Sequence, residues 1–331
     1  MKAMRFIVIG GAGFIGSHFV ETLLGKPETT QVTVFDNFTS GQDWHLAMHA
    51  GDDRLTIVRG DVKDLNALTG AMEGHEAVIH LASNPDIAAA MADPAIDFHE
   101  GTALTHNVVE AMRLSGTKRI LYASGSGMYG DLGETLIPED HAPMEPISTY
   151  GASKLAGEAM ISAYVHMFGM SGLVFRFANV VGPRQTHGVG YDFVRRLMVE
   201  PTKLQILGDG RQSKSYIHVS DVVNAVLTAH ETESRSYQAF NISTEDAISV
   251  TEIGKLACRV VGLNPEQVAF SYTGGDRGWK GDVPVVRLDS QRIRALGWSN
   301  SRSTAEAMEA SMQAIREDVE AGNIPPAPTV G

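Results

Sequence analysis

The chain has 331 residues, 27 Lys+Arg against 39 Asp+Glu, a formal net charge of −12, 43% hydrophobic residues and one cysteine, Cys258. That apolar fraction is ample for a core and excludes a largely disordered or collagen-like chain, while the acidic balance opposes nucleic-acid binding, which needs Lys/Arg to neutralise phosphates. A single cysteine makes neither an intramolecular disulfide nor a Cys-based zinc site, and no 18-residue apolar run occurs, so no membrane span and a reducing, cytoplasmic setting are expected.

Short runs rich in Val, Ile, Leu and Phe recur at Arg5 to Ile9, Gln31 to Phe35, Leu55 to Arg59, Ala77 to Leu81, Arg119 to Ser124 and Leu173 to Phe177. They are nearly continuous, as parallel strands buried on both faces must be. Helix-period segments such as Asn107 to Leu114 and Leu155 to Phe168 fall between them, so the alternation predicts a doubly wound α/β sheet. From about Gly182 the rhythm breaks into Gly/Pro-rich loops, a strand at Lys203 to Leu207 and helices around Val250 to Val261 and Thr304 to Val319. This half reads as a smaller C-terminal α/β cap. The expected division is 1–178 for the sheet domain, with segments near 213–245 returning to it, and 179–331 mainly for the cap. The tail from Ile324 to Gly331, with three prolines, is expected to fray.

Gly10-Gly11-Ala12-Gly13-Phe14-Ile15-Gly16 follows the first strand and opens a helix at Ser17 to Leu24. Gly10 permits the tight turn, Gly13 lets backbone approach a pyrophosphate, and Gly16 allows close helix packing. The helix N-terminus offers N–H donors and its dipole to the anion, and Phe14 and Ile15, between the glycines, join the cofactor candidates. Asp36 lies 20 residues after Gly16 at the end of the second strand, where a carboxylate accepts from adenosine ribose hydroxyls. That carboxylate disfavours a 2′-phosphate, so the cofactor expected is NAD. Asn37 beside it joins the cofactor candidates. Asp61, with Val62, is either an adenine contact or a helix cap, and Leu81-Ala82-Ser83 after the fourth strand would lie against the nicotinamide-side ribose.

Tyr150-Gly151-Ala152-Ser153-Lys154 is the second signal, because residues four apart share one helix face. A phenol near pKa 10 is a poor base at neutral pH. A lysine ammonium and a cationic nicotinamide ring would both favour the phenolate, bringing it toward the range that removes a proton from a sugar hydroxyl.

The fingerprint, Tyr150-x-x-x-Lys154, Arg176 to Arg184 (RFANVVGPR) and Ser215 to Asp221 (SYIHVSD) together resemble the extended short-chain dehydrogenase/reductase superfamily of nucleotide-sugar epimerases and dehydratases. The resemblance spans nearly the whole chain. Thr186 to Val189 (THGV), Tyr191-Asp192-Phe193 and Gly274 to Pro284 (GGDRGWKGDVP) are similar to a branch containing archaeal-type UDP-glucose (UDP-galactose) 4-epimerases. It implies a Rossmann-type fold, a tightly held NAD, a UDP-sugar substrate and a transient 4-keto sugar returned with inverted C4. It further implies Tyr150 as base, Lys154 as its electrostatic partner and ribose ligand, and Asn179 on the substrate diphosphate. Arg184, Tyr191, Tyr216 and Asp282 fall on the substrate side, and the family implies a homodimer through the helices that include Ala103 to Leu114 and Tyr150 to Phe168.

Three departures bear on the chemistry. The family usually places a Ser or Thr four residues before the tyrosine corresponding to Tyr129, and Gly125 stands there; Ser126 is the expected substitute, with Ser124 the alternative. Dehydratases carry an Asp-Glu pair where Ser126-Gly127 stands, which argues against dehydration. After Asn84-Pro85-Asp86, Ile87 to Ala90 is apolar where relatives often carry a polar group. Cations for a diphosphate would come from Arg211, Lys214 and Arg277, each of which is equally an ordinary solvated charge. Lys214 keeps the charge of the usual Arg but loses its bidentate fork.

His45-x-x-x-His49 has helical spacing but no intervening Glu and no third ligand, so a solvated helix face is expected and no metal. The reading is an NAD-dependent UDP-hexose 4-epimerase. Its rivals are a UDP-glucuronate 4-epimerase or decarboxylase, and an NAD sensor without turnover.

Overall fold

The computed structural model describes residues 3–84 and 86–328. The first five strands are β1 (Met4–Ile9), β2 (Thr29–Asp36), β3 (Leu55–Arg59), β4 (Ala77–His80) and β5 (Arg119–Gly125). Then come β6 (Leu136–Ile137), β7 (Ser171–Phe177), β8 (Asn179–Val181), β9 (Lys203–Ile206), β10 (Ser213–Lys214), β11 (Tyr216–His218) and β12 (Tyr237–Ile242). Seven of them form one all-parallel sheet in the order β12-β7-β5-β4-β1-β2-β3. Apolar side chains face both ways. Phe6 and Val8 of β1 join Ile79, Leu121 and Phe175 on one face, and Ile7 and Ile9 join Val78, Ile120 and Val174 on the other.

Helix α1 (Phe14–Leu24) covers the first face, while α2 (Leu65–Met72), α3 (Ala103–Ser115) and α4 (Thr149–Phe168) cover the second. Helices α5 (Val189–Val199), α6 (Val219–Thr232) and α7 (Val250–Val260) follow, and α6 packs beside α1. A third apolar cluster, built by Phe193 and Leu197 of α5, Leu256 of α7, Leu204 of β9 and Met308, Met312 of the C-terminal helix Thr304–Glu320, forms the smaller layer.

The segment 213–245 divides between these layers. Its β11 pairs with β8 outside the sheet, while α6 and β12 join the sheet layer. Leu288, Ile293 and Trp298 pack there too, beyond the segment singled out from sequence. The tail is not frayed as expected up to Pro326: Ile324 is buried, and Arg195 donates to the Pro325 and Pro326 carbonyls at 2.7 and 3.0 Å. Thr329 to Gly331 lie outside the described residues, as do Pro85 and the side chains of Ile87 and Ala88. No helix among the described residues is long and apolar enough to cross a membrane.

Burial lowers seven histidines among the described residues below the ordinary imidazole range, four of them furthest. His80 is brought down to about 3, and His18, His218 and His230 each to about 4. In the unfolded chain each titrates near 6.5, so below that pH the unfolded state binds more protons. Their stability contribution is therefore complete above about pH 6.5 and is lost as pH falls toward 4, each with a limiting slope of about 1.4 kcal/mol per pH unit. The urea midpoint should fall steeply from pH 6.5 to 5. A midpoint constant across that interval would contradict the burial.

Candidate active site

The chain leaves β1 toward β2 and β3 on one side and returns to β4, β5, β7 and β12 on the other. The carboxyl ends of β1 and β4 therefore flank the switch point, where an open α/β sheet forms its crevice. Gly10 sits there at φ +80°, and a Cβ on it would lie 2.9 Å from the Ala82 nitrogen after β4. At Gly16 a Cβ would lie 2.2 Å from the Gly10 carbonyl oxygen. Only hydrogen fits.

Helix α1 begins at Phe14 with Gly13 as N-cap and no side chain capping it. The first-turn N–H groups of Phe14, Ile15 and Gly16 thus lack intrahelical partners and meet no capping side chain. Asp36 is buried; its Oδ2 accepts from the Ala12 N–H at 2.9 Å and its Oδ1 from the Phe38 N–H at 2.7 Å. Burial raises its carboxyl pKa, with both bonds opposing. The glycine cradle, uncapped helix end and strand-end carboxylate fit a dinucleotide: amides for the pyrophosphate, Asp36 for the ribose.

The outlying cofactor candidates divide. The Asn37 side chain is exposed and accepts from Thr39 N–H. Asp61 accepts from Lys63 N–H, while the cap of α2 is Asp64, so of the two sequence readings the cap is taken by another residue. Val62 is buried and its carbonyl accepts from Asn107. Leu81 and Ala82 both donate to the Ile9 carbonyl, at 2.9 and 3.1 Å, which seats Ser83 beside the glycine loop.

Tyr150 is the second residue of α4, whose N-cap Ser148 accepts from Gly151 N–H. Its phenol is pushed up to about 12, by burial first and then by the Asp97 carboxylate, with a Ser83 hydrogen bond opposing. Lys154, one turn on and buried, donates from Nζ to the Ala123 carbonyl at 2.9 Å and lies 5.4 Å from the Tyr150 ring centre. Burial brings it down to about 8, against the pull of Glu158 and Asp97.

The two serines flanking Gly125 are placed differently. Ser124 is buried and its hydroxyl lies 3.6 Å from Met128 Sδ. Ser126 is partly exposed and opens the 3-10 turn Ser126–Tyr129. A Cβ at Gly125 would meet the Tyr150 ring and hydroxyl at 3.8 and 3.9 Å, ordinary contact.

On the substrate side, Lys214 pairs with Asp282 at 2.6 Å, and Arg277 donates to the Asp282 carbonyl at 2.9 Å and to Asp131 at 2.7 Å. These three are brought together, each cation with an acidic partner. Asn179 is exposed, its amide 3.5 Å from the Ser215 carbonyl, and its strand β8 pairs with β11, where Tyr216 is buried. Tyr191 lies under the Arg195 guanidinium at 4.5 Å and packs on the smaller layer's core.

One substrate-side expectation and one about the histidines need correction. Arg184 does not stand free for a substrate: its guanidinium is bonded to His18 and Glu21 of α1 and to the His45 carbonyl, because the Gly182 to Arg184 loop crosses α1. Arg211 takes the other of its two readings, an ordinary solvated charge: it is 87% exposed and paired with Asp209 on its own turn. His45 and His49 also fall on no solvated helix face. They end two 3-10 turns, and His45 is buried with Nδ1 2.8 Å from the Ala12 carbonyl, bracing the glycine loop. Among the described residues no group of three or more His, Cys, Asp or Glu could hold a metal.

Sequence reasoning missed Asp97, Asn84 and Thr149. Asp97 is 1% exposed; its carboxylate accepts from Asn84 Nδ2 at 2.9 Å and Thr149 Oγ1 at 2.6 Å. Only adjacency of Thr149 to Tyr150 and of Asn84 to Ser83 could have hinted at it.

Residues 6–243 match the sequence pattern of the NAD-dependent epimerase/dehydratase family. The UDP-glucose 4-epimerase of Mycolicibacterium smegmatis is 31% identical over 321 residues, covering 95% of this chain and 99% of the relative. A crystal structure of a UDP-galactose 4-epimerase superposes with a TM-score of 0.84 at 34% identity, over 96% of this chain and 100% of the other. A dTDP-glucose 4,6-dehydratase double mutant from Streptomyces venezuelae, solved with NAD, superposes at 0.87 with 26% identity, over 96% and 98%. With its cofactor cradle, its Tyr150/Lys154 face and these relatives, the chain belongs to the NAD-dependent epimerase/dehydratase family and is an NAD-dependent enzyme.

Proposed function

We propose that the protein interconverts the C4 configuration of a UDP-hexose, UDP-glucose and UDP-galactose first. The observation that carries this is the convergence of Tyr150 and Lys154 at the carboxyl ends of β4 and β5, beside the glycine loop, with no carboxylate at Ser126-Gly127 to expel water. NAD, when bound, supplies reversible acceptance of hydride from the sugar, so the sum has no net redox change. Tyr150 takes the C4 hydroxyl proton and gives it back. Lys154 keeps a positive charge 5.4 Å from the Tyr150 ring centre, which favours the phenolate. Asn179 addresses the diphosphate, with Lys214 and Arg277 supplying positive charge nearby.

A second reading rests on one cation. A cavity of about 390 Å³ opens beside Ser148 and Thr149 and is lined by Trp279 and Lys280. Lys280 would suit a C5 carboxylate, which favours UDP-glucuronate, epimerised at C4 or decarboxylated. Proton NMR of UDP-galactose and of UDP-glucuronate, each with purified protein and no added NAD, separates these. A new anomeric doublet from the galactose sugar supports the first reading; conversion of the glucuronate alone moves the assignment to the second, and no change in either refutes both.

We also propose a homodimer through α3 and α4, supported by Leu114, Met167 and Phe168, which are 52%, 72% and 38% exposed at their ends. Sedimentation should give twice the chain mass, with Met167→Glu shifting it to one. A parent protein sedimenting as a monomer at micromolar concentration would refute it.

A further inference from the structure

We infer that Arg184, on the loop that leads from β8 to α5, is a positioning residue for NAD: together with His18 and His45 it fixes, from outside the glycine loop, the direction of the amides that face the pyrophosphate. Arg184 and Phe38 are the two non-glycine residues among those described with a left-handed backbone, Arg184 at φ +65°. A side chain with a Cβ keeps such a backbone only where its surroundings over-determine it. Here they do. The Arg184 guanidinium, 12% exposed, donates from Nη2 to His18 Nδ1 at 2.9 Å and to Glu21, and from Nη1 to the His45 carbonyl at 3.2 Å. His18 Nε2 donates to the Pro183 carbonyl at 2.9 Å, so the ring carries its proton there and Nδ1 is left to accept. Burial first, then the Arg184 charge, hold this imidazole down to about 4, and it stays neutral at working pH.

The same bonds run on into the glycine loop. His45, whose carbonyl Arg184 holds, donates from Nδ1 to the Ala12 carbonyl at 2.8 Å, and the Gln42 N–H donates to that oxygen at 3.0 Å. The Ala12 N–H is taken by Asp36 Oδ2 at 2.9 Å, so both backbone groups of this buried residue are tied. The planar peptide from Ala12 to Gly13, the N-cap of α1, is left with one orientation, and the free N–H groups of Phe14, Ile15 and Gly16 follow from it. The outer end of the chain of bonds is anchored as well. Gln185, next to Arg184, accepts at Oε1 from Ser311 of the C-terminal helix at 2.8 Å, and Trp44, next to His45, packs on the smaller layer's apolar cluster. The smaller layer thus grips the cofactor cradle through two adjacent residues, and the strain at Arg184 is held by that grip.

The test uses the full-length, cofactor-depleted chain and two readouts that need no turnover: calorimetric titration with NAD, and amide hydrogen exchange of the segment 10–17. Arg184→Gly removes the bonds while leaving a residue at ease with positive φ, so the fold should persist by circular dichroism. Losing the bonds should weaken NAD roughly tenfold and speed exchange in that segment. His45→Ala, which removes the bond to the Ala12 carbonyl, should weaken NAD by a similar factor. The double variant should then also lose roughly tenfold, against roughly a hundredfold for independent sites; general loosening of the fold would not give that saturation. Arg184→Lys, which keeps the charge but not the fork, should lose most of the affinity that Arg184→Gly loses. NAD affinity unchanged in Arg184→Gly overturns the proposal, as does parent affinity in Arg184→Lys, which would mean that charge alone acts. A hundredfold loss in the double variant also overturns it, by placing the two residues on separate paths. Neither readout involves a sugar, so failure of the epimerase reading leaves both results intact.

Discussion

Tyr150→Phe should cut turnover by about 10³-fold or more while leaving the fold intact, since the substitution removes one hydroxyl from a partly exposed residue. Burial pushes the phenol up to about 12, so at pH 7 the phenolate is a very minor form. Base catalysis therefore depends on positive charge brought near that oxygen. Lys154 is one source, still charged at neutral pH with its pKa near 8. Lys154→Met removes that charge and raises the phenol pKa further, so the acid limb of the kcat/KM profile should move to higher pH. Circular dichroism and a pH series of initial rates check both variants. Turnover of Tyr150→Phe within tenfold of the parent would remove this tyrosine from the chemistry.

Gly16→Ala should have the largest effect on cofactor binding. The added methyl would sit 2.2 Å from the Gly10 carbonyl oxygen and 2.7 Å from the Gly11 Cα, both backbone atoms that no rotamer change can move. Helix α1 must shift away from β1, at a cost of roughly 1–3 kcal/mol or more in stability. The shift also carries away the N–H groups that face the pyrophosphate; losing two charge-assisted bonds of about 1.5 kcal/mol each gives about a 10²-fold weaker NAD affinity. Calorimetric titration of cofactor-depleted protein with NAD measures this. Gly13→Ala is the contrast: its methyl would stand 3.3 Å from the same oxygen, and a smaller loss is expected. Equal losses for the two would mean that the close helix packing is not what Gly16 provides.

Local pattern explains what could be read directly. The sheet strands β1, β2, β4, β5 and β7 are short apolar runs because both faces are covered, and burial on both faces erases polar alternation, whereas the edge strand β3 has no buried residue. The glycine turn, Asp36 and the Tyr150/Lys154 spacing were legible because each depends on neighbours within one turn, one strand end or one helix face. Strand β12 was hidden because its buried Asn241 breaks the apolar run. That amide is satisfied only by the Ile137 and Asp289 carbonyls and its oxygen by the Tyr129 hydroxyl, all far away in sequence. Arg184 and His45 escaped local reading for a related reason: Arg184 reads as a substrate cation and His45 as part of a solvated helix face until segments distant in sequence are seen to bond them.

By itself, then, the sequence determined a doubly wound sheet, the cradle for a dinucleotide and the helix face that carries a tyrosine and a lysine, all products of short-range periodicity and backbone sterics. Only the tertiary structure decided which groups surround that tyrosine. Asp97 reaches Thr149 across 52 residues and Asn84 across 13, because the order of strands in the sheet, not their order in the chain, sets which loops meet at its carboxyl edge.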